Sequence, residues 1–313
     1  MEEHSFEKLL EGFRYYMRLE RSFSKNTSES YIRDCSRFAE WIQEFYPNTA
    51  IQDITVKILD EFVSNMVKTK THNEEDILLK STSQIRIIQG IRAFFKYLLL
   101  QDIIEKNPAE LITTPKQEHK LPEVLEREEI QAMINSIDAS TLAGFRNKLT
   151  INFLYATGLR VSEFVNLKLS EVNFKEEILD IIGKGNKERY IPVAKSVLDD
   201  LEFYIKHYRA EQKISKEFEN FIFLSERQGK PLTRQFIFKM LRETAEKSGI
   251  KKNVHPHILR HSFATELIRG GANLIAVKEM MGHSSVVSTE IYINLSTKDL
   301  KNTLENYHPF YRK

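Results

Sequence analysis

Residues 255–265 read His255-Pro256-His257-Ile258-Leu259-Arg260-His261-Ser262-Phe263-Ala264-Thr265, and the second half of the chain is read outward from them. Proline suits the first position of a helix, where its missing N–H leaves nothing unsatisfied. On the helix that follows, positions 257, 260 and 261 stand at i, i+3 and i+4 and share one face. His257 then falls in the first turn, near the positive end of the helix dipole, with Arg260 one turn on. A cationic face at a helix N-terminus attracts phosphate. Two plainer readings stand beside this one. A single histidine on an apolar helix is more often a hydrogen-bonded core residue than a catalyst. His257 and His261 also have the spacing of a zinc-binding helix, but the zincin pattern needs Glu directly after the first His, where Ile258 stands.

Three more clusters flank this run: Thr157-Gly158-Leu159-Arg160-Val161-Ser162-Glu163, Gly183-Lys184-Gly185-Asn186-Lys187-Glu188-Arg189, and Gly282-His283-Ser284-Ser285 followed by Tyr292. Each is weak alone. Arg160 reads equally as the ion-pair partner of Glu163, three residues on. The glycine turn lacks the spacing and the Lys-Ser/Thr ending of a Walker loop, and reads equally as a hairpin tip with solvated lysines. A lone Tyr292 is, by composition, a half-buried packing residue.

Around these clusters the region 123–313 has mixed periodicity. Alternating segments 177–182 and 189–193 flank the glycine turn as a hairpin. Helical patterns cover 127–137, 142–156, 197–208, 233–248, 259–269, 274–281, 287–292 and 297–306. The first third differs. Phe6, Leu9, Leu10, Phe13 and Tyr16/Met17 recur at helical spacing, and Tyr31, Ile32, Cys35, Phe38, Ala39, Ile42 and Phe45 repeat it until Pro47. Thr55 caps a third pattern, Ile58 to Val67, and Ser81 opens a fourth, Ile85 to Leu99. The polar stretch 69–75 between them reads as a solvated loop. Segment 113–122 carries two prolines and no periodicity and reads as a linker. The expected organisation is therefore a helical domain over 1–112, a linker over 113–122 and a second domain over 123–313. The expected fold class is mainly α, with a small antiparallel β-sheet in the second domain.

With 313 residues, two domains is the ordinary count. Hydrophobic residues at 41% and charged residues at 29% exclude wholesale disorder. A formal net charge of +2 permits nucleic-acid binding without arguing for it. The single cysteine, Cys35, excludes an internal disulfide and a thiolate metal cluster, and reads as core filler. Met1-Glu2-Glu3-His4 lacks the features of a secretory signal, and no apolar run spans a bilayer. The expectation is a cytoplasmic protein that does not associate with membrane.

Taken together, the four clusters resemble those of the tyrosine recombinases, the phage-integrase family, and their wording is most similar to the Xer branch. The resemblance runs through the whole second region, with the first region similar to the family's SAM-like core-binding domain. It implies a mixed α/β catalytic domain and six catalytic residues in matching order: Arg160, Lys184, His257, Arg260, His283 and the nucleophile Tyr292. Departures are small: Met281 for Leu, Glu266 where His is common, and Ile293-Asn294 for Thr-His. The implied reaction cuts and rejoins DNA through a 3′-phosphotyrosyl bond, with no cofactor and no metal. Breaking a phosphodiester in line needs a nucleophile, charge stabilisation and a proton for the leaving oxygen. His257 fits the general acid/base, the two arginines the charge, His283 a hydrogen bond to the phosphate, and Glu163 the orientation of Arg160 or a neighbour. Lys184 is the leaving-group acid by resemblance.

The implied partner is a double-stranded DNA recombination site, bound by a homo- or hetero-tetramer on two duplexes, with a second Xer recombinase and a DNA-translocating motor as further partners. Lys25, Arg33, Arg86, Arg92, Arg234 and Lys239 are candidates for phosphate contacts, and each reads equally as part of a solvated helix face. Chromosome dimer resolution and segregation is the biological role the Xer likeness implies. A mobile-element integrase shares the chemistry; an inert DNA-binding protein would have lost part of the set. A metal-dependent nuclease lacks its carboxylate and cysteine ligands.

Overall fold

The computed structural model describes residues 5–20, 23–70, 76–79, 81–115, 123–183, 188–226, 229–282 and 297–311, without the side chains at 20, 67–70, 76–78 and 297–299. The chain divides into two compact units, Met1–Lys120 and Leu121–Lys313.

The first unit is helical because its apolar residues recur at helical spacing behind good caps. Ser5 accepts from the Lys8 amide ahead of α1 (Phe6–Tyr15), and Ser24 accepts from the Thr27 amide at 3.3 Å ahead of α2 (Lys25–Phe45). Pro47 keeps the residue before it out of the helical region, and α2 ends accordingly. Thr55 caps α3 (Val56–Val67) through the Ile58 amide at 3.4 Å, and α4 (Ser81–Leu100) completes the bundle. The buried faces meet in a cluster of rings, Phe13, Phe38, Phe62, Phe94 and Phe95, with Phe38 and Phe62 edge-on at 5.0 Å. Each such ring stabilises the unit by roughly 2–3 kcal/mol through burial.

One sequence expectation changes here. The stretch read as a loop over 69–75 opens inside a strand, β1 (Lys68–Lys70), which pairs with β2 (Asp76–Leu78), Lys68 opposite Leu78; residues 71–75 lie outside the described residues. Strands this short show no alternation to read. Arg86 and Arg92, which the sequence offers as phosphate contacts, are engaged inside the unit. Arg86 donates to Ser30 Oγ and to fully buried Asp34, and Arg92 donates to the carbonyls of Ala109 (3.2 Å) and Ile112 (2.6 Å). Cys35 is fully buried, its thiol pushed up by burial and donating to the Gly90 carbonyl.

The second unit is built around α6 (Leu142–Thr157), whose C-terminal half is buried on nearly every side, and which follows α5 (Arg127–Asn135). After the short α7 (Val161–Val165) comes a three-stranded antiparallel sheet in the order β3 (Val172–Asn173), β4 (Ile178–Ile182), β5 (Glu188–Pro192). Ile182 pairs with Glu188, so β4 and β5 form the expected hairpin on either side of the glycine segment. Helices α8 (Lys195–Tyr204), α9 (Arg234–Lys247), α10 (Pro256–Arg269), α11 (Leu274–Met281) and α12 (Thr297–Tyr307) follow. Helix α12, the helical pattern read over 297–306, buries Leu300 and Leu304 on its own unit against β5, α10 and α11. Beyond it, His308 is fully buried among the rings of Tyr155, Phe263, Phe310 and Tyr311. Among the described residues no helix is long and apolar enough to cross a membrane.

Candidate active site

Helix α6 ends at Gly158, whose φ of +60° is left-handed, and a Cβ there would lie 2.4 Å from the Phe263 ring. Only glycine fits this turn. Its carbonyl accepts from Arg260 Nη1 at 2.5 Å, and two residues later Arg160 takes the N-cap position of α7. Helix α11 ends the same way at Gly282, with φ +59° and Arg189 atoms 3.2 Å from where a Cβ would sit.

Three guanidiniums converge on the last turn of α11. Arg160 Nη2 donates to the Gly282 carbonyl at 2.7 Å, Arg189 Nε to the Met280 carbonyl at 3.0 Å, and Arg260 Nη2 to the Met281 carbonyl. Glu163 ties two of them together. It accepts from Arg189 through both oxygens (3.0 and 2.8 Å), from Arg160 Nη1 at 2.9 Å and from the Arg160 amide at 2.8 Å. Burial pushes the Glu163 carboxyl up, but hydrogen bonds and charge from Arg189, with those of Arg160, outweigh it and hold the group below its ordinary value. Arg260 is 5% exposed, and burial, with Arg160 nearby, lowers it to about 10, still cationic at neutral pH. Three cations against one carboxylate leave an excess of positive charge. A guanidinium has five N–H donors, so Arg160 and Arg260 keep donors beyond those given to carbonyls.

His257 lies at the second position of α10 and is exposed, one turn before Arg260. Its neighbour His255 is the N-cap, with Nδ1 accepting from the Ile258 amide at 3.3 Å. Of the six residues singled out in the sequence, the fold brings Arg160 and Arg260 together and sets His257 on the helix of Arg260. Lys184, His283 and Tyr292 lie outside the described residues. Arg189 was not singled out. Its signal was a charged residue in the inward phase of β5, where Arg189 and Ile191 are buried while Glu188 and Tyr190 are exposed. No group of three or more His, Cys, Asp or Glu side chains suited to a metal ion occurs among the described residues.

Residues 123–299 match the phage integrase family, and residues 10–102 match its N-terminal SAM-like domain. The chain belongs to this family, the tyrosine recombinases, which cleave and rejoin DNA strands through a catalytic tyrosine. Among its relatives, tyrosine recombinase XerD of Staphylococcus saprophyticus is 35% identical over 301 residues, covering 96% of this chain and 98% of that one. XerD of Staphylococcus haemolyticus is 34% identical over 310 residues, covering 97% and 99%. The fold matches that of XerH bound to a palindromic difH substrate in a post-cleavage complex (TM-score 0.68, 23% identity, 96% of this chain and 84% of that one). It also matches the Tn1549 transposon integrase in complex with circular intermediate DNA (TM-score 0.69, 20% identity, 96% and 94%).

Proposed function

We propose that this recombinase acts at a double-stranded DNA recombination site in chromosome dimer resolution and segregation, with Tyr292 as nucleophile and Arg160, Lys184, His257, Arg260 and His283 as the residues that assist it. The observation that carries the assignment is the convergence of Arg160 and Arg260 on one helix end, fixed by Glu163 and Arg189. Near-full-length similarity to proteins named XerD supports the biological role.

In this reading a DNA phosphate takes the donors that Arg160 and Arg260 still have free. Planar guanidiniums match phosphate oxygens in a way an ammonium does not, and they stabilise the charge that builds as the phosphorus becomes five-coordinate. A tyrosine hydroxyl has a reference pKa near 10 and attacks poorly until a base takes its proton. His257, open to solvent at the head of α10, is that base, and His283 adds a hydrogen bond to the phosphate. The leaving 5′ oxygen takes a proton from Lys184, which falls between β4 and β5 in the sequence. The phosphotyrosyl bond conserves the energy of the broken phosphodiester, so religation runs without ATP; the guanidiniums fill the role a metal ion has elsewhere.

The domain assignment follows: 1–112 and 123–313 hold the duplex, joined by 113–122, with subunits assembled as a homo- or hetero-tetramer on two duplexes. A paralogous recombinase, a DNA-translocating motor and a cytoplasmic location complete the proposal. The test is a nicked duplex that traps the covalent adduct. In EDTA and without ATP, the wild-type chain yields a protein–DNA band, and Tyr292→Phe yields none while still shifting the duplex. A Tyr292→Phe variant that still forms the band, or a wild type that forms it only with added metal, overturns the proposal.

A further inference from the structure

His255 differs from the usual hydroxyl or carboxamide N-cap in being titratable, and it stands two residues from His257. Its backbone is extended (φ −152°, ψ 167°), and its Nδ1 accepts the Ile258 amide proton at 3.3 Å. A ring nitrogen that accepts carries no hydrogen, so the neutral ring holds its proton on Nε2. The ring has two aromatic neighbours. It stacks on Phe238 of α9 with centroids 6.3 Å apart, and it meets His257 edge-on at 6.2 Å and 70°.

We infer that His255 is a positioning residue for His257: its neutral ring holds the first turn of α10 closed and backs the His257 imidazole, and protonation of His255 releases both. The inference rests on the reading of His257 as the general acid/base. Gaining a proton on Nδ1 turns the cap's acceptor into a donor, so the Ile258 amide loses its side-chain acceptor and keeps only the His255 carbonyl, 3.0 Å away. The same proton sets a cation beside His257 and at the positive end of a helix, two arrangements that electrostatics disfavours. The charged groups acting on His255 are His257 on its own helix and Glu123 on the segment leading into α5; Phe238 offers it an uncharged face. Burial first, then His257, hold its pKa below the ordinary histidine value, with Glu123 opposing, which keeps the cap formed at neutral pH. On this account cleavage is fastest when His257 can take the proton and an uncharged acceptor at position 255 holds the helix turn.

The experiment uses the full chain. Imidazole nitrogen spectra of the free protein read the His255 tautomer, with the Nε2–H form expected. Single-turnover adduct formation is then followed against pH on a nicked duplex carrying the site that the protein selects from randomised DNA. His255→Ala lowers the rate about fivefold at pH 7.5, the ratio expected for one lost N-cap, with duplex affinity unchanged. His255→Asn restores an acceptor and recovers most of that loss. On acidification the wild-type rate falls further than that of His255→Asn, because only the wild type has a cap that gains a proton. A His255 ring protonated on Nδ1 at neutral pH, or a His255→Ala variant with wild-type rate and acid limb, overturns the inference. His257→Asn separates it from its premise. A His257→Asn variant that cleaves at the wild-type rate overturns the premise; one that forms no adduct upholds it, and the His255 variants then decide the inference.

Discussion

Glu163 holds Arg189 with both carboxylate oxygens and Arg160 with one, and nothing else among the described residues pairs with either guanidinium by charge. Replacing it by glutamine keeps the shape and removes the charge, leaving Arg189, 8% exposed, without a counter-ion. Breaking a buried pair by removing one partner costs about 3–5 kcal/mol; the remaining amide oxygen and partial exposure of Arg160 bring the expectation for Glu163→Gln to roughly 2 kcal/mol in urea unfolding. Cleavage should fall at least tenfold, with a smaller change in duplex affinity, because both arginines lose their fixed orientation. Stability from Glu163 is present above the ordinary carboxylate pKa and is lost as the pH falls through its lowered folded value, so the variant's deficit should vanish in acid. The Arg160–Glu163 contact was legible as an i, i+3 spacing. Arg189 was not, because its partner is 26 residues away in sequence and only the sheet brings them together.

Among the elements, the helix starts at Thr55, Thr233 and Pro256 were readable in the sequence, whereas α2 begins at Lys25, six residues before the pattern that opens at Tyr31. A cap is a local interaction and leaves a local mark. Strand β3 has two residues and pairs only with β4, so it left no pattern, and β1 and β2 were hidden in the same way. The turn from α6 into α7 was visible as a glycine before an arginine, but its purpose was not: it hands the Gly158 carbonyl to Arg260, 102 residues on. Gly158→Ala should therefore destabilise by roughly 2–4 kcal/mol, the sum of a left-handed backbone cost and a steric clash with Phe263. Urea unfolding measures it, and a loss under about 1 kcal/mol would mean that the turn can relax away from the ring.

For the molecule as a whole, the change from purely helical to mixed periodicity marks two units in the sequence, and the helical spacing of Leu300 and Leu304 marks α12, whereas nothing local marks the burial of His308 beyond it, since long-range packing leaves no local signature. His308 carries the clearest consequence. Burial lowers its pKa to about 3, and the unfolded chain takes up a proton there from near pH 6.5 downward. Stability from this ring is therefore complete above about pH 6.5 and drains as the pH falls toward the folded value. At about 1.4 kcal/mol per pH unit, the loss between pH 6.5 and 5 is ~2 kcal/mol. His308→Asn does not titrate in this range, so its unfolding free energy should be lower at pH 7.5 yet fall about 2 kcal/mol less on acidification. Parallel curves for the two proteins would contradict the account.

The sealed thiol of Cys35 has an experimental use. It is the sole sulfhydryl in 313 residues, fully covered and held in its protonated form. A maleimide dye should pass it by, so a cysteine introduced on either unit becomes the only labelled point. Pairs of such dyes would let single molecules be watched as strands change partners, with no native cysteine to delete first.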